Sequence, residues 1–189
     1  DDANVQDLQL LLLLARGDRA GAAALAKRVP SANVTIKGSQ ALVAVQAALR
    51  NRDVVTARAW VARMPATVPP DDSRTAWEVA RALLVQAEGD TAGALQIARE
   101  ATARTEQAGS PEERVEAGLL QARLLLALGQ RDAAAAVLGD LDGFAASDYR
   151  VAWTTLSLYR ALGDAGMTAT ALQRVQALRG ERDANVEPA

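Results

Sequence analysis

Apolar and polar positions follow one another in blocks, and the stretch from Leu124 to Leu138 shows the unit most plainly. Leu124, Leu125, Leu126 and Leu128 form an apolar run that stops at Gly129. Gln130, Arg131 and Asp132 make a polar step, and a second run opens on small residues, Ala133 to Ala136. A glycine just past an apolar run takes the left-handed conformation without a Cβ penalty and so ends a helix. Asp132, at the head of the next run, suits a cap or the positive end of that helix. The stretch predicts two helices joined by a tight turn.

The same unit recurs. Residues 22–30 superpose on residues 57–65 at an offset of 35, matching Ala22 with Ala57, Leu25 with Trp60, Arg28 with Arg63 and Pro30 with Pro65. The turn ahead of each copy then aligns Gly17 with Arg52, and Asn51, a residue that tolerates the left-handed region, is the expected stand-in for the glycine. Carried forward, the turn falls at 17, 52, 89, 129 and 163, in steps of 35, 37, 40 and 34. Ala22, Ala57, Ala94 and Ala134 stand five residues after the first four turns. Larger apolar residues stand eight after (Leu25, Trp60, Ile97, Val137), and Val29, Met64, Ala101 and Leu141 stand twelve after. That spacing is one face of a helix. The fifth copy is looser, with Thr168, Ala171 and Val175.

Start signals place the first helix of each pair. Ser73 precedes the run Ala76 to Ala87. Ser110-Pro111-Glu112-Glu113 combines a cap, a proline at the first helical position and a capping-box Glu. Ser147 is the expected opener of the run Tyr149 to Leu162, and Pro30 and Pro65 the expected ends of two second helices. The fold expected is all-α: one domain over residues 1–180, with five helical hairpins at about 4–30, 38–65, 73–107, 111–142 and 147–180, and a frayed tail over 181–189.

A period of 34 to 40, glycine at the turn and alanine five residues later resembles the tetratricopeptide repeat. The family's small residue seven before the turn is present as Ala82 and Ala122, and its aromatic four before the turn as Tyr159. Leu10, Val45 and Leu156 depart from the first of these. The 40-residue step is similar to repeats in the sensor regions of large bacterial transcription regulators. The resemblance implies a right-handed α-solenoid whose first helices line a concave groove for a peptide or partner helix. Matched to the family's groove positions, the candidate binding residues are Gln46, Leu83, Gln86, Glu116, Leu119, Arg123, Arg150, Trp153, Ser157 and Arg160; Asp7, Leu11, Leu42, Ala76, Val79 and Leu126 occupy further matching positions. Arg123, Arg150 and Arg160 are placed to fork onto a carboxylate. Alternatively each is solvated or paired with Glu116, Glu113 or Asp148, and Trp153, like Trp60 and Trp77, is a packing wedge.

Composition changes this picture mainly by subtraction. Half of the 189 residues are apolar but only 3% aromatic, so alanine and leucine must fill the interior. A net charge of −2, with acids and bases interspersed, argues against nucleic-acid binding. Cysteine and histidine are absent, which removes thiolate and imidazole chemistry and the usual zinc ligands. Asp71-Asp72 and Glu112-Glu113 sit where helices begin and read as caps or dipole partners. Asp140, Asp142 and Gly143 resemble part of a calcium loop but lack its third acid and distal Glu. Arg16-Gly17-Asp18 lies in the repeated turn. No apolar run reaches the roughly 18 residues that span a bilayer. The expectation is a non-catalytic protein- or peptide-binding module without a cofactor. Only Lys27 and Lys37 are lysines, a bias that fits a GC-rich bacterial genome. With no Met at the start, the chain is expected to belong to a larger regulatory or envelope-assembly protein, cytoplasmic or periplasmic. The alternative expectation is a self-associating structural domain, for instance a homodimer.

Overall fold

Alanine and leucine supply most of the periodic runs, and both favour helix. A computed structural model of the chain describes residues 2–30, 34–70, 72–178 and 180. Asp71 and the expected tail lie outside the described residues. Among these the chain forms ten α-helices and no strand: α1 (Asp2–Ala15), α2 (Arg19–Ala26), α3 (Gly38–Arg50), α4 (Val54–Val61), α5 (Arg74–Ala87), α6 (Thr91–Ala108), α7 (Pro111–Ala127), α8 (Arg131–Asp140), α9 (Tyr149–Leu162) and α10 (Ala165–Leu178). None of the described helices is long and apolar enough to cross a membrane. The chain divides into two compact units, Asp1–Ile97 and Ala98–Pro188, with α6 running from the first into the second.

Each pair turns on one residue in the left-handed region: Gly17 (φ 74°), Arg52 (59°), Gly89 (100°), Gly129 (73°) and Gly163 (74°). The amide of the next residue donates to the carbonyl five positions back in every case: Asp18 to Leu13, Asp53 to Ala48, Asp90 to Val85, Gln130 to Leu125 and Asp164 to Tyr159. With the glycine-position amide bonded three back, this is a Schellman ending, which satisfies carbonyls that the helix leaves open. Asn51 does not take the glycine's role; its φ is −101°. The next helix sets the register. Asp18, Asp53, Asp90 and Asp164 accept from the amides of Gly21, Thr56, Gly93 and Met167 at 2.7–3.0 Å. Each stands directly after the left-handed residue, so Asp53 fixes that conformation on Arg52. Gln130 holds the same place in the fourth turn and makes no side-chain cap. Asp132 lies inside the first turn of α8 and complements its dipole instead.

In the first unit α3 packs against α1, α2, α4 and α5, and α5 against α3 and α4. Thus α3 and α5 each lie on both helices of the pair before them. The helices α2 and α4 are only eight residues long and stop four residues short of Pro30 and Pro65. Side chains from the next pair take the carbonyls at and beyond the end of α2. Trp60 Nε1 donates to Ala26 O at 2.7 Å, and the Arg63 guanidinium donates to Pro30 O and to Val34 O. Ser73 caps α5 as expected, accepting from Ala76 N at 3.1 Å. Asp72 does something different. One oxygen accepts from Gly38 N and Ser73 N, both at 2.8 Å, and the other from Trp77 Nε1 at 2.9 Å. It therefore ties the start of α3 to the start of α5. The approach is close enough that a Cβ on Gly38 would stand 2.4 Å from Ser73 O.

In the second unit α9 packs against α7, α8 and α10. Again a first helix lies on both members of the preceding pair. The 40-residue step is taken up by α6, whose 18 residues make it the longest described helix. Ser110 and Glu113 form the expected capping box on α7, with Pro111 at its start. Ser147 does not open α9. Asp148 does, accepting from Arg150 N at 2.8 Å, while the Ser147 hydroxyl turns back to Phe144 O. Tyr149, Ala152 and Leu156 of α9 meet Ala171 and Val175 of α10 in a local core, with Trp153 and Tyr159 packed at its side.

Candidate functional site

A first helix that packs on several neighbours has only a narrow free side, and the repeat register shows which positions keep it. Counting the turn residue as fifteen, position five is core among the described side chains: Leu42, Val79 and Leu119 are buried and Trp153 is half-exposed, while the Asp7 side chain lies outside them. Leu119, expected in the groove, is 1% exposed and is not available to a partner. Position nine stays accessible throughout, with Leu11 exposed and Gln46, Leu83, Arg123 and Ser157 half-buried. Position twelve is accessible in Gln86, Leu126 and Arg160 but closed in Leu14. In the first unit this leaves Gln46, Leu83 and Gln86 on a weakly polar strip. In the second unit it leaves Arg123, Leu126, Ser157 and Arg160, bordered by Glu116, Arg150 and Trp153.

Charge concentrates at position two of α7 and α9. Arg150 grips Asp148 with two bonds, Nη2 to Oδ2 at 2.7 Å and Nε to Oδ1 at 3.2 Å, and reaches Glu112 across to α7 at 2.7 Å. Its fork is thus filled from within the chain by Asp148 and Glu112. It is not open to an incoming carboxylate, and Glu112 rather than Glu113 or Glu116 is its partner on α7. Burial alone lowers the Arg150 pKa, but bonding and attraction from Asp148 and Glu112 raise it on balance. Burial likewise pushes Asp148 up, and the Arg150 guanidinium outweighs this and holds it below its ordinary value. Glu116 has no such support. Burial, with Glu112 one turn away adding repulsion, lifts its pKa from 4.5 to about 7 against the attraction of Arg150. Arg150 is thus paired with Asp148 and Glu112, while Arg123 and Arg160 lie on the same strip.

Trp153 leans on Tyr149, ring centroids 6.0 Å apart, and its backbone carbonyl accepts from the Ser157 hydroxyl at 3.1 Å. Arg123 Nε donates to Leu119 O of its own helix at 3.3 Å, and Arg160 is exposed at the end of α9. The resemblance to the repeat family alone placed these side chains in a groove. It could not show that Arg150 is already occupied, because Asp148 and Glu112 reach it from a cap and from another helix.

The second unit also holds a recess that the sequence did not announce. Residues of α6, α7 and α8, among them Thr102, Thr105, Arg114, Gln121 and Leu141, line a cavity of about 130 Å3. The Oε1 of Gln121 is buried without a hydrogen-bond partner. Gly118 forms part of the lining, where a Cβ would sit 3.0 Å from Leu141 Cδ1. A glycine inside the apolar run of α7 was the available signal for such a close approach. No family model, no curated protein and no solved structure matches the chain.

What the site can do chemically follows from its groups. Among the described residues no three carboxylates gather to hold a metal ion. Two hydroxyls on α9 bond back to helix carbonyls, Thr154 to Arg150 O and Ser157 to Trp153 O. The strip offers amides, hydroxyls, aliphatic surface, the guanidinium groups of Arg123 and Arg160, one indole edge and an acidic border.

Proposed function

We propose that the chain is a non-catalytic interaction module, a solenoid of TPR-like pairs that holds an extended protein segment along the first-helix strip of each unit. The recurrence of accessible positions nine and twelve, between positions that are otherwise core, supports this reading most. The packing of α3, α5 and α9 on both helices of the pair before them supports the stacked arrangement. In the second unit the segment presents a lysine or arginine to Glu116 beside Trp153, because Arg150 is already paired with Asp148 and Glu112. Such a module serves as the recognition part of a larger bacterial regulatory or envelope-assembly protein.

Panning a random displayed-peptide library against the full chain tests this. The expected winners carry basic residues and bind more tightly at pH 8 than at pH 6, as Glu116 ionises. Glu116→Gln removes that pH dependence, and Ser157→Trp, which plugs the strip, weakens binding at least about tenfold. Winners that are acidic, or that bind Ser157→Trp unchanged, overturn the reading.

A further inference from the structure

The long second helix of the third pair builds the recess in the second unit. Helix α6 runs nineteen residues past its turn residue, Gly89, to Ala108, whereas α2, α4 and α8 stop nine to eleven residues past Gly17, Arg52 and Gly129. Thr102, Thr105 and Glu106 all stand on that added length. With residues of α7 and the end of α8 they line the recess of about 130 Å3, which lies wholly within the second unit. The polar groups around it offer mainly lone pairs. The Gln121 Oε1 is buried and has no donor within the chain. Thr105 is 3% exposed and its hydroxyl donates to Thr102 O at 2.9 Å, while the Thr102 hydroxyl donates to Ala98 O at 3.0 Å. With their hydrogens committed, both hydroxyls can only accept from a ligand. The charged residues of the lining are Glu106, Asp140 and Arg114, all exposed, two acids against one base. Val137 and Leu141 supply an apolar wall.

A buried acceptor calls for a donor. An ammonium group brings three donors and no acceptor, whereas a hydroxyl brings lone pairs of its own and a carboxylate brings nothing else. The carboxylates of Glu106 and Asp140 favour a cation further. Size narrows the choice. An apolar cavity of about 150 Å3 takes benzene, so this recess suits a body of about five or six non-hydrogen atoms. We propose that the recess binds a small free aliphatic amine as its ammonium ion, the nitrogen donating to Gln121 Oε1 and the threonine hydroxyls and the alkyl chain lying on Val137 and Leu141. This is a second site, apart from the first-helix strip, and it does not depend on peptide binding there.

Titrating the full chain with butylammonium, followed by heteronuclear NMR, tests this. The Gly118 backbone and Gln121 side-chain amide signals are expected to shift and to saturate below about 1 mM, within reach of a ligand of that size. Butanol and butyrate, of matching length, bind at least about tenfold more weakly. A capped lysine (acetylated and amidated), too large for the recess to enclose, binds no more tightly than butylammonium. Gln121→Leu keeps the bulk, removes the acceptor and lowers affinity about tenfold or more. Circular dichroism checks that its helices remain. Glu106→Gln with Asp140→Asn, at exposed positions that do not put folding at stake, weakens binding about threefold and reduces its dependence on salt. No saturable shift up to about 10 mM butylammonium overturns the proposal and leaves Gln121 to water. Butanol binding as well as butylammonium overturns it by making the recess a merely apolar pocket, and a tighter capped lysine overturns it by giving the recess to a protein segment. Unchanged affinity in both variants also overturns it.

Discussion

Arg52 carries a cost that its four counterparts avoid. A non-glycine residue in the left-handed region is strained by about 1–2 kcal/mol, part of which glycine's larger unfolded-state entropy cancels. Arg52→Gly is therefore expected to raise stability by about 0.5–1 kcal/mol in urea denaturation, and an unchanged midpoint would mean that the turn is not held as described. Gln130→Asp should add about as much, because the backbone there matches Asp18 and Asp53 (ψ 67° against 78° and 76°) and only the capping oxygen is lacking. Glu116 gives a pH signature. Its folded pKa, about 7, exceeds its ordinary 4.5, so the folded form binds the extra proton between those values. Stability is full below about 4.5, falls as pH rises through 7, and then levels off. Glu116→Gln should remove that decline and be the more stable protein at pH 8; parallel pH curves for the two would contradict the assignment. At this scale the sequence was legible wherever one residue type does one job, as at Gly17, Gly129 and the Ser110 box. It was not legible where two residues compete. Asn51 has the better left-handed propensity, yet Arg52 takes that conformation because Asp53 must follow it directly. Ser147 has the better-known capping role, yet Asp148 both caps α9 and holds Arg150.

Among elements, the side chains that join neighbouring pairs matter more than those within one. Asp72 takes three donors, from Gly38, Ser73 and Trp77, and the Trp77 side chain is wholly buried. Asp72→Ala leaves the Gly38 amide and the indole N–H without their acceptor and is expected to cost about 2–4 kcal/mol, measured by chemical denaturation. A loss below about 1 kcal/mol would show that water replaces the carboxylate there. The early ends of α2 and α4 have a related origin. Proline marks where a helix can no longer run, so Pro30 and Pro65 were outer limits. Trp60 and Arg63, 33 or 34 residues on, determine what becomes of the carbonyls around the end of α2. No local reading of residues 22–30 could have found that. The candidate strip was half legible for the same reason. The resemblance to the repeat family implied the stripe at positions two, five, nine and twelve, and the number of helices packed around each first helix then closed position five.

Across the whole molecule, the proposed array consists of pairs supported by their neighbours rather than of one shared core. In such an array stability is local: a helix is as protected as the helices on either side make it. Here α3 packs against α1, α2, α4 and α5, whereas α1 leaves Leu8, Leu11 and Leu12 in solvent and α10 leaves Met167 and Leu172. Residue-resolved native-state hydrogen exchange on the dilute chain reads this directly. Amides of α1 and α10 should exchange by openings of low free energy, those of α2 and α4 should be intermediate, and those of α3 should be the slowest of the first unit. If α1, α3 and α10 instead exchanged through one global opening with a single free energy, the pairs would share a common core and the repeat-by-repeat account would be wrong.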